Sequence, residues 1–186
     1  MPQVTVIIGS LRKAAFSRKL ANALISLAPP SLSLRIAEIS QLPLYNPDHE
    51  ESGAPEAWLA FRALVKATDA VLFVTPEHNR SVPAALKNAI DIASRPRGQN
   101  MWDGKPAAVA SISPGSIGAF GSNNHLRQSL MAVNMPTLMQ PEVYIGGAES
   151  VFDAAEHVAD KDTRSFLANF MNAFAEWIDK TARRKV

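Results

Sequence analysis

The chain has 186 residues, of which 47% are hydrophobic and 19% are charged, with a formal net charge of +2 and no cysteine. This length predicts one domain, residues 1–186, with a sizeable core, and the mild charge argues against binding nucleic acid by bulk attraction. The missing cysteine excludes disulfides and thiolate chemistry, and the lack of a ~20-residue apolar run or a signal peptide predicts a soluble, cytoplasmic protein outside the membrane.

Strand-like and helix-like patterns alternate along the chain. In chain order they predict strand 3–8, helix 16–27, strand 31–39, helix 55–68, strand 69–76, helix 82–94, strand 105–113, helix 120–132, a broken strand 137–145 and helix 160–182. Five strands that alternate with helices imply a mostly parallel sheet covered on both faces. Ligands bind such sheets at the carboxyl ends of the strands, so the loops after strands one, three and four are the informative ones.

The loop after the first strand, GSLRKAAFS, enters a helix without a carboxylate, although helix starts favour Asp or Glu. The hydroxyls of Ser10 and Ser17, the fork of Arg12 and the free N–H groups of the helix are suited to an anion. Neither the Rossmann fingerprint nor a Walker A pattern is present, which favours a single terminal phosphate, as in FMN. The alternative is a solvated helix start that Ser17 merely caps.

The loops after the third and fourth strands are polar and rich in small residues. Pro76, Glu77, His78 and Asn79 leave a buried strand toward a helix that we expect to begin near Ser81, and their polar groups match the edge of an isoalloxazine ring. SISPGSIGAFG, residues 111–121, is suited to bordering the other side of a flat ring. Each loop alone is equally compatible with ordinary turn chemistry.

Four segments, GSLRKAAFSRKLA, PEHNRSVPAALKNAIDIASRP, SPGSIGAFGSNNHLRQSL and QPEVYI, resemble the NADPH-dependent FMN reductase family, the flavodoxin-like group that holds chromate and quinone reductases. The resemblance implies an α/β flavodoxin-like three-layer sandwich with strand order 2-1-3-4-5. It also implies a homodimer or homotetramer.

The resemblance further implies a set of cofactor-binding residues. Ser10, Arg12, Phe16 and Ser17 would hold the FMN phosphate, Pro76, Glu77, His78 and Asn79 would border the isoalloxazine, and Ser113 and Gly115 would close the site. Two positions depart from the family pattern: His78 replaces a common tyrosine, and Ala119 stands where a second glycine often follows Gly118.

The implied activity is ping-pong reduction of quinones, chromate or similar small acceptors, in which NADPH or NADH gives hydride to bound FMN and leaves before the acceptor enters. Because the cofactor carries the chemistry, we expect no protein nucleophile, and His78 is the one candidate proton donor. The alternative is a flavodoxin-type electron carrier, which the mildly positive charge disfavours. A third possibility is a phosphate-binding hydrolase of the same sheet class, but this sequence has no nucleophile and base at the spacing that such an enzyme needs.

Several other polar or aromatic residues are interpreted structurally. Asp48 to Glu51 and the group Glu156, His157 and Asp160 are read as solvated surface, so no metal site is predicted. The run Arg183-Arg184-Lys185 is expected at a helix C-terminus, where cations are favourable. Three tryptophans are expected in the core or at subunit contacts: Trp58, Trp102 and Trp177. Trp102 lies in the loop before the fourth strand and is also able to approach the active site.

Overall fold

A computed structural model describes residues 1–183. One parallel sheet of five strands runs through it in the order β2-β1-β3-β4-β5. The strands are β1 Gln3–Ile8, β2 Ser33–Ala37, β3 Ala70–Thr75, β4 Ala107–Ile112 and β5 Val143–Ile145. The helices are α1 Phe16–Leu27, α2 Pro47–Ser52, α3 Glu56–Ala67, α4 Ala84–Ala93, α5 Phe120–Ala132 and α6 Lys161–Arg183, with a 3-10 turn at Ala148–Ser150.

The sheet is covered on both faces, so the predicted three-layer sandwich is confirmed. Successive strand residues point to opposite faces, and β1 therefore sends Val6 into one apolar cluster and Ile7 into the other. The first cluster lies under α1 and α6, and the second lies under α3, α4 and α5. All residues of β3 and β4 are buried, as expected for central strands of a parallel sheet.

The predicted last strand is mostly irregular. Only Val143–Ile145 pairs with β4, while Thr137 makes one isolated bridge to Ala107. Pro136 and Pro141 lie in this stretch, and proline has no N–H to donate to a ladder. The second strand is likewise shorter than predicted, because pairing with β1 covers only Ser33 to Ala37.

The acidic segment 48–51, predicted as a solvated loop, forms most of α2. The Asn46 side chain caps this helix by accepting from the Asp48 N–H at 3.1 Å. Glu50 is only 17% exposed at its side chain and forms an ion pair with the buried Arg62. The prediction was therefore wrong about the loop and about Glu50, which pairs with Arg62, whereas Asp48, His49 and Glu51 are exposed, as predicted.

In the segment 153–160, Glu156, His157 and Asp160 are exposed, as predicted, and Val158 is buried. The Asp153 carboxylate accepts from the N–H groups of Ala155 and His157, both at 2.9 Å, and folds the segment into a turn. Asp160 then caps α6 by accepting from the Thr163 N–H at 2.7 Å. Arg183, the first residue of the basic run predicted at a helix end, is the last residue of α6, and Arg184 and Lys185 lie outside the described residues.

Candidate functional site

A cleft of about 240 Å³ opens at the carboxyl ends of β1, β3 and β4. Twelve residues line it: Ser10, Arg12, Ala14, Ala15, Phe16, Ser17, Pro76, Glu77, His78, Ile112, Ser113 and Pro114. Eight of the ten predicted site residues are among them, and Asn79 and Gly115 are not. A larger cleft, of about 510 Å³, lies on the flank of α1 against Ala155–Val158, away from the strand ends.

The loop after β1 packs tightly against the end of β3. The Gly9 N–H donates to the Val74 carbonyl at 2.9 Å, and a Cβ at Gly9 would lie 3.1 Å from the Pro76 ring. Glycine at this position therefore lets two site loops meet. The chain then turns at Ser10, whose Oγ accepts from the Arg12 N–H at 3.3 Å.

The start of α1 leaves hydrogen-bonding groups without protein partners. Its N-cap residue is Ala15, which has no side chain able to cap the helix. The Ser17 hydroxyl is buried and has no hydrogen-bond partner, so the reading of Ser17 as a helix cap was wrong. Buried hydroxyls are normally satisfied, and this one lines the cleft next to the free N–H groups of α1. The arrangement fits an anion such as a phosphate.

The cations around this helix start divide into two groups. Arg18 pairs with Glu38 at 3.0 Å and Lys19 pairs with Glu156 at 3.2 Å. Arg12 lines the cleft, and neither Arg12 nor Lys13 forms an ion pair with any of residues 1–183. The cation left available to a ligand in the cleft is therefore Arg12.

Residues 78–81 form a tight hairpin instead of the start of a helix. His78 and Ser81 exchange both backbone hydrogen bonds, at 3.1 and 3.0 Å. The two residues between them, Asn79 and Arg80, have φ of 49° and 65°, as in a type I′ turn. Asn79 therefore lies at the tip, outside the cleft lining, and α4 begins at Ala84 instead of near Ser81.

Glu77 has a role that the sequence analysis missed. Its side chain is 12% exposed, and its Oε2 accepts from the Ser122 N–H in the first turn of α5 at 3.0 Å. A Cβ at Gly121 would lie 2.9 Å from the same oxygen, so glycine makes room for this contact. The sequence carries only half of the signal: the first turn of α5 has no acidic residue of its own, but nothing local identifies Glu77 as the partner.

The loop after β4 is held by serine side chains and left-handed backbone. Gly118 and Ala119 have φ of 60° and 61°. The Ser113 Oγ accepts from the Ala119 N–H and donates to the Gly115 carbonyl, both at 3.1 Å. The left-handed φ at Ala119 explains why glycine suits this position.

The three tryptophans all pack within the fold, and none of them lines the cleft. Trp58 and Trp102 are fully buried, and Trp177 is half-buried with its indole N–H donating to the Pro136 carbonyl at 2.9 Å. Trp102 packs edge-on against Phe61 and donates to the Ile90 carbonyl at 2.9 Å. It does not line the cleft, so the expectation that it approaches the active site was wrong.

Comparison with known proteins gives a consistent set of relatives. Residues 2–150 match the model of the family described as NADPH-dependent FMN reductase. A quinone reductase from Pseudomonas putida is 58% identical over 175 residues, which cover 94% of each chain. A 2-hydroxy-1,4-benzoquinone reductase from a Burkholderia species is 43% identical over 95% of this chain and 96% of its own. The solved structure of FerB, a flavoenzyme NAD(P)H:(acceptor) oxidoreductase from Paracoccus denitrificans, matches with a TM-score of 0.90 and 43% identity over 97% of this chain and 99% of its own.

Proposed function

The chain belongs to the NADPH-dependent FMN reductase family and is an FMN-dependent NAD(P)H oxidoreductase, and from this premise we propose that it reduces quinones with FMN held in the cleft at the carboxyl ends of β1, β3 and β4. The alternative of a non-catalytic electron carrier is disfavoured by this kinship. Quinones are proposed as acceptors because two of the relatives are named for quinone reduction. Chromate is a second acceptor included in the proposal.

The observation that carries the proposed cofactor site is the buried Ser17 hydroxyl without a partner. A phosphate at the start of α1 would accept from this hydroxyl, from the free N–H groups of the helix and from Arg12. Ser10 and Phe16 line the same part of the cleft and complete the proposed phosphate site.

The remaining cleft residues are proposed to surround the ring. When bound, FMN supplies the hydride chemistry of the reaction. Pro76 and Glu77 form one wall, and the Glu77 carboxylate fixes that wall to α5 through the Ser122 N–H. Ser113 forms the opposite wall together with Pro114, and Gly115, which lies outside the lining, is proposed to close the site by accepting from the Ser113 hydroxyl. Asn79 lies at the tip of the hairpin, outside the cleft lining, and is not included among the residues proposed to surround the ring.

His78 is the proposed proton donor to the acceptor. It lies at the rim of the cleft, is exposed, and is fixed by both backbone hydrogen bonds to Ser81. A histidine side chain is able to give a proton to an oxygen of the reduced quinone.

We include assembly and location in the proposal. Exposed apolar side chains such as Leu44, Met131 and Met139, each at least 72% exposed, support a homodimer or homotetramer. Among residues 1–183 no helix is long and apolar enough to cross a bilayer, and we propose a cytoplasmic location.

The test compares FMN with riboflavin, which lacks the phosphate. In Ser17→Ala we expect FMN affinity to fall about ten- to a hundredfold, since a hydrogen bond to a charged group contributes ~1.5–3 kcal/mol, while riboflavin affinity stays unchanged. Fluorescence titration of the apoprotein measures both affinities. Ser26→Ala is the matched control, because Ser26 lies on the same helix and already donates to the Ala23 carbonyl.

Two outcomes would count against the proposal. Equal loss of FMN and riboflavin affinity in Ser17→Ala would remove the phosphate role of that residue. FMN binding without NAD(P)H oxidation in the presence of a quinone would favour the electron carrier.

A further inference from the structure

Arg80 occupies a backbone conformation that its side chain does not favour. Its φ is 65°, and it follows Asn79, which also has a left-handed φ. Asparagine tolerates this region and glycine is preferred at the second position of such turns, whereas a long side chain is strained there. Strain at a ligand cleft points to a role for the side chain that maintains it.

The Arg80 guanidinium lies beside the cleft and forms only a loose ion pair within residues 1–183. Its Nη1 lies 3.7 Å from the Oε1 of Glu77, which lines the cleft, and its side chain is 77% exposed. That separation exceeds a hydrogen bond, and exposed ion pairs of this kind are weak. The other oxygen of Glu77 is engaged by α5, so Arg80 is free to turn its fork toward an incoming anion.

The hairpin that presents Arg80 is well supported. His78 and Ser81 are joined by two backbone hydrogen bonds. The Arg80 carbonyl lies so close to α5 that a Cβ at Gly121 would come within 2.8 Å of it. The guanidinium therefore extends from a fixed point on the rim.

We propose that Arg80 binds a phosphate of the nicotinamide dinucleotide and thereby sets the affinity for the reductant, separately from Arg12 and Ser17, which serve the flavin phosphate. The inference rests on the proposed function. The dinucleotide carries phosphates in every turnover, whereas among the proposed acceptors simple quinones are uncharged and only chromate is an anion, so the test below uses a quinone as the acceptor. A guanidinium is suited to paired phosphate oxygens. Two phosphate groups qualify: the pyrophosphate of either dinucleotide and the 2′-phosphate of NADPH.

The test uses the FMN-loaded protein and two variants. Arg80→Gln removes the charge and keeps the strained turn, and Arg80→Gly removes the charge and relaxes the turn. We expect both to raise the KM for NADPH about tenfold with kcat unchanged, since charge-assisted hydrogen bonds are lost. A rise for NADPH alone identifies the 2′-phosphate, and a rise for NADH as well identifies the pyrophosphate. Calorimetric titration of the loaded protein with 2′,5′-ADP and with ADP gives the same comparison without turnover.

The control variant is Lys180→Gln. Lys180 is exposed on α6 and pairs with Glu176 at 3.5 Å. The substitution therefore removes a surface cation in a similarly weak ion pair, at a position that does not line the cleft. Its KM values should match those of the wild type. Thermal unfolding should show a higher Tm for Arg80→Gly than for the wild type, which separates loss of affinity from loss of fold.

Three results would overturn the inference: unchanged KM values for both dinucleotides, a KM change confined to the quinone, or a parallel loss of FMN affinity. Failure of the proposed function has a different signature. In that case the wild-type protein itself would not bind FMN or oxidise NADPH, before any variant is compared.

Discussion

At the scale of single residues, Ala119 adopts a backbone conformation that carries an energetic cost. Its φ of 61° is left-handed and its side chain is 1% exposed. A Cβ in this conformation costs about 1–2 kcal/mol. The geometry is fixed from both sides, because the Ala119 N–H donates to Ser113 and its carbonyl accepts from Asn123 at 3.1 Å.

Ala119→Gly should therefore raise the free energy of unfolding by about 1 kcal/mol, since glycine adopts this conformation without the steric cost. Urea unfolding of the apoprotein measures the change. Ala60→Gly, on the exposed face of α3, should lower the same quantity by about 1 kcal/mol, as glycine does in a helix interior. Loss of stability in both variants would show that Ala119 is not strained.

At the scale of elements, the segment before and within α2 is fastened to the helices beneath it by polar side chains. The Asn88 amide of α4 donates to the Pro43 carbonyl at 3.0 Å and accepts from the Tyr45 N–H at 2.8 Å. Asn88 belongs to the segment PEHNRSVPAALKNAIDIASRP, which carries part of the resemblance to the FMN reductase family. This part of the segment holds a neighbouring segment in place.

The second fastening is Arg62 of α3, which is 5% exposed. It donates to the Ile92 carbonyl at 2.9 Å and to both carboxylate oxygens of Glu50, and its guanidinium lies 5.6 Å from the centre of the Trp58 ring. Three helices therefore meet at one buried cation. Its charge is balanced by a residue from the shortest helix of the described chain, α2.

Glu50→Ala should lower the free energy of unfolding by about 3 kcal/mol, because it leaves the Arg62 guanidinium buried without its carboxylate. Glu51→Ala removes an exposed neighbouring carboxylate and should change stability by less than about 0.5 kcal/mol. Denaturant unfolding of both variants gives the difference. Equal effects would mean that α2 is not held by this ion pair.

At the scale of the whole molecule, the turn at 153–160 connects the two helices that cover one face of the sheet. Asp160 caps α6, and Glu156 reaches Lys19 on α1. Backbone hydrogen bonds from His157 and Thr163 hold the pKa values of Asp153 and Asp160, respectively, below the ordinary value of an aspartate. Both carboxylates are therefore more easily ionised in the folded chain than in the unfolded one.

A carboxylate with a lowered folded pKa stabilises the fold above its ordinary pKa, and this contribution is lost as the pH falls through the folded value. We expect the free energy of unfolding to decline below about pH 4, and to decline less steeply in an Asp153→Asn, Asp160→Asn double variant. Urea unfolding between about pH 3 and pH 7 measures both slopes. Parallel curves would assign the acid sensitivity to other groups.

The fold was predictable from the sequence because apolar patterns of a few residues define each strand. The side-chain partners that lie far apart in the sequence were not predictable. Strands β1 and β3 follow directly from VTVII and AVLFVT. Glu77 and Ser122 lie 45 residues apart, and no local pattern reports that one caps the helix of the other. Local composition predicted the anion-suited loop at Ser10 to Ser17, but only the tertiary structure revealed that the Ser17 hydroxyl has no partner.

The glycines of the β4 side of the cleft have a consequence for how substrate preference evolves. A Cβ at Gly118 would lie 2.5 Å from the Tyr144 backbone, and one at Gly146 would collide with the Ser116 carbonyl. Main chain packs closely on main chain behind this side of the cleft, so substitutions at these two glycines disrupt the fold before they alter selectivity. His78, Asn79 and Arg80 are exposed on a hairpin fixed by its own backbone. New specificities in this lineage, or in a directed-evolution library, should therefore arise at those three positions.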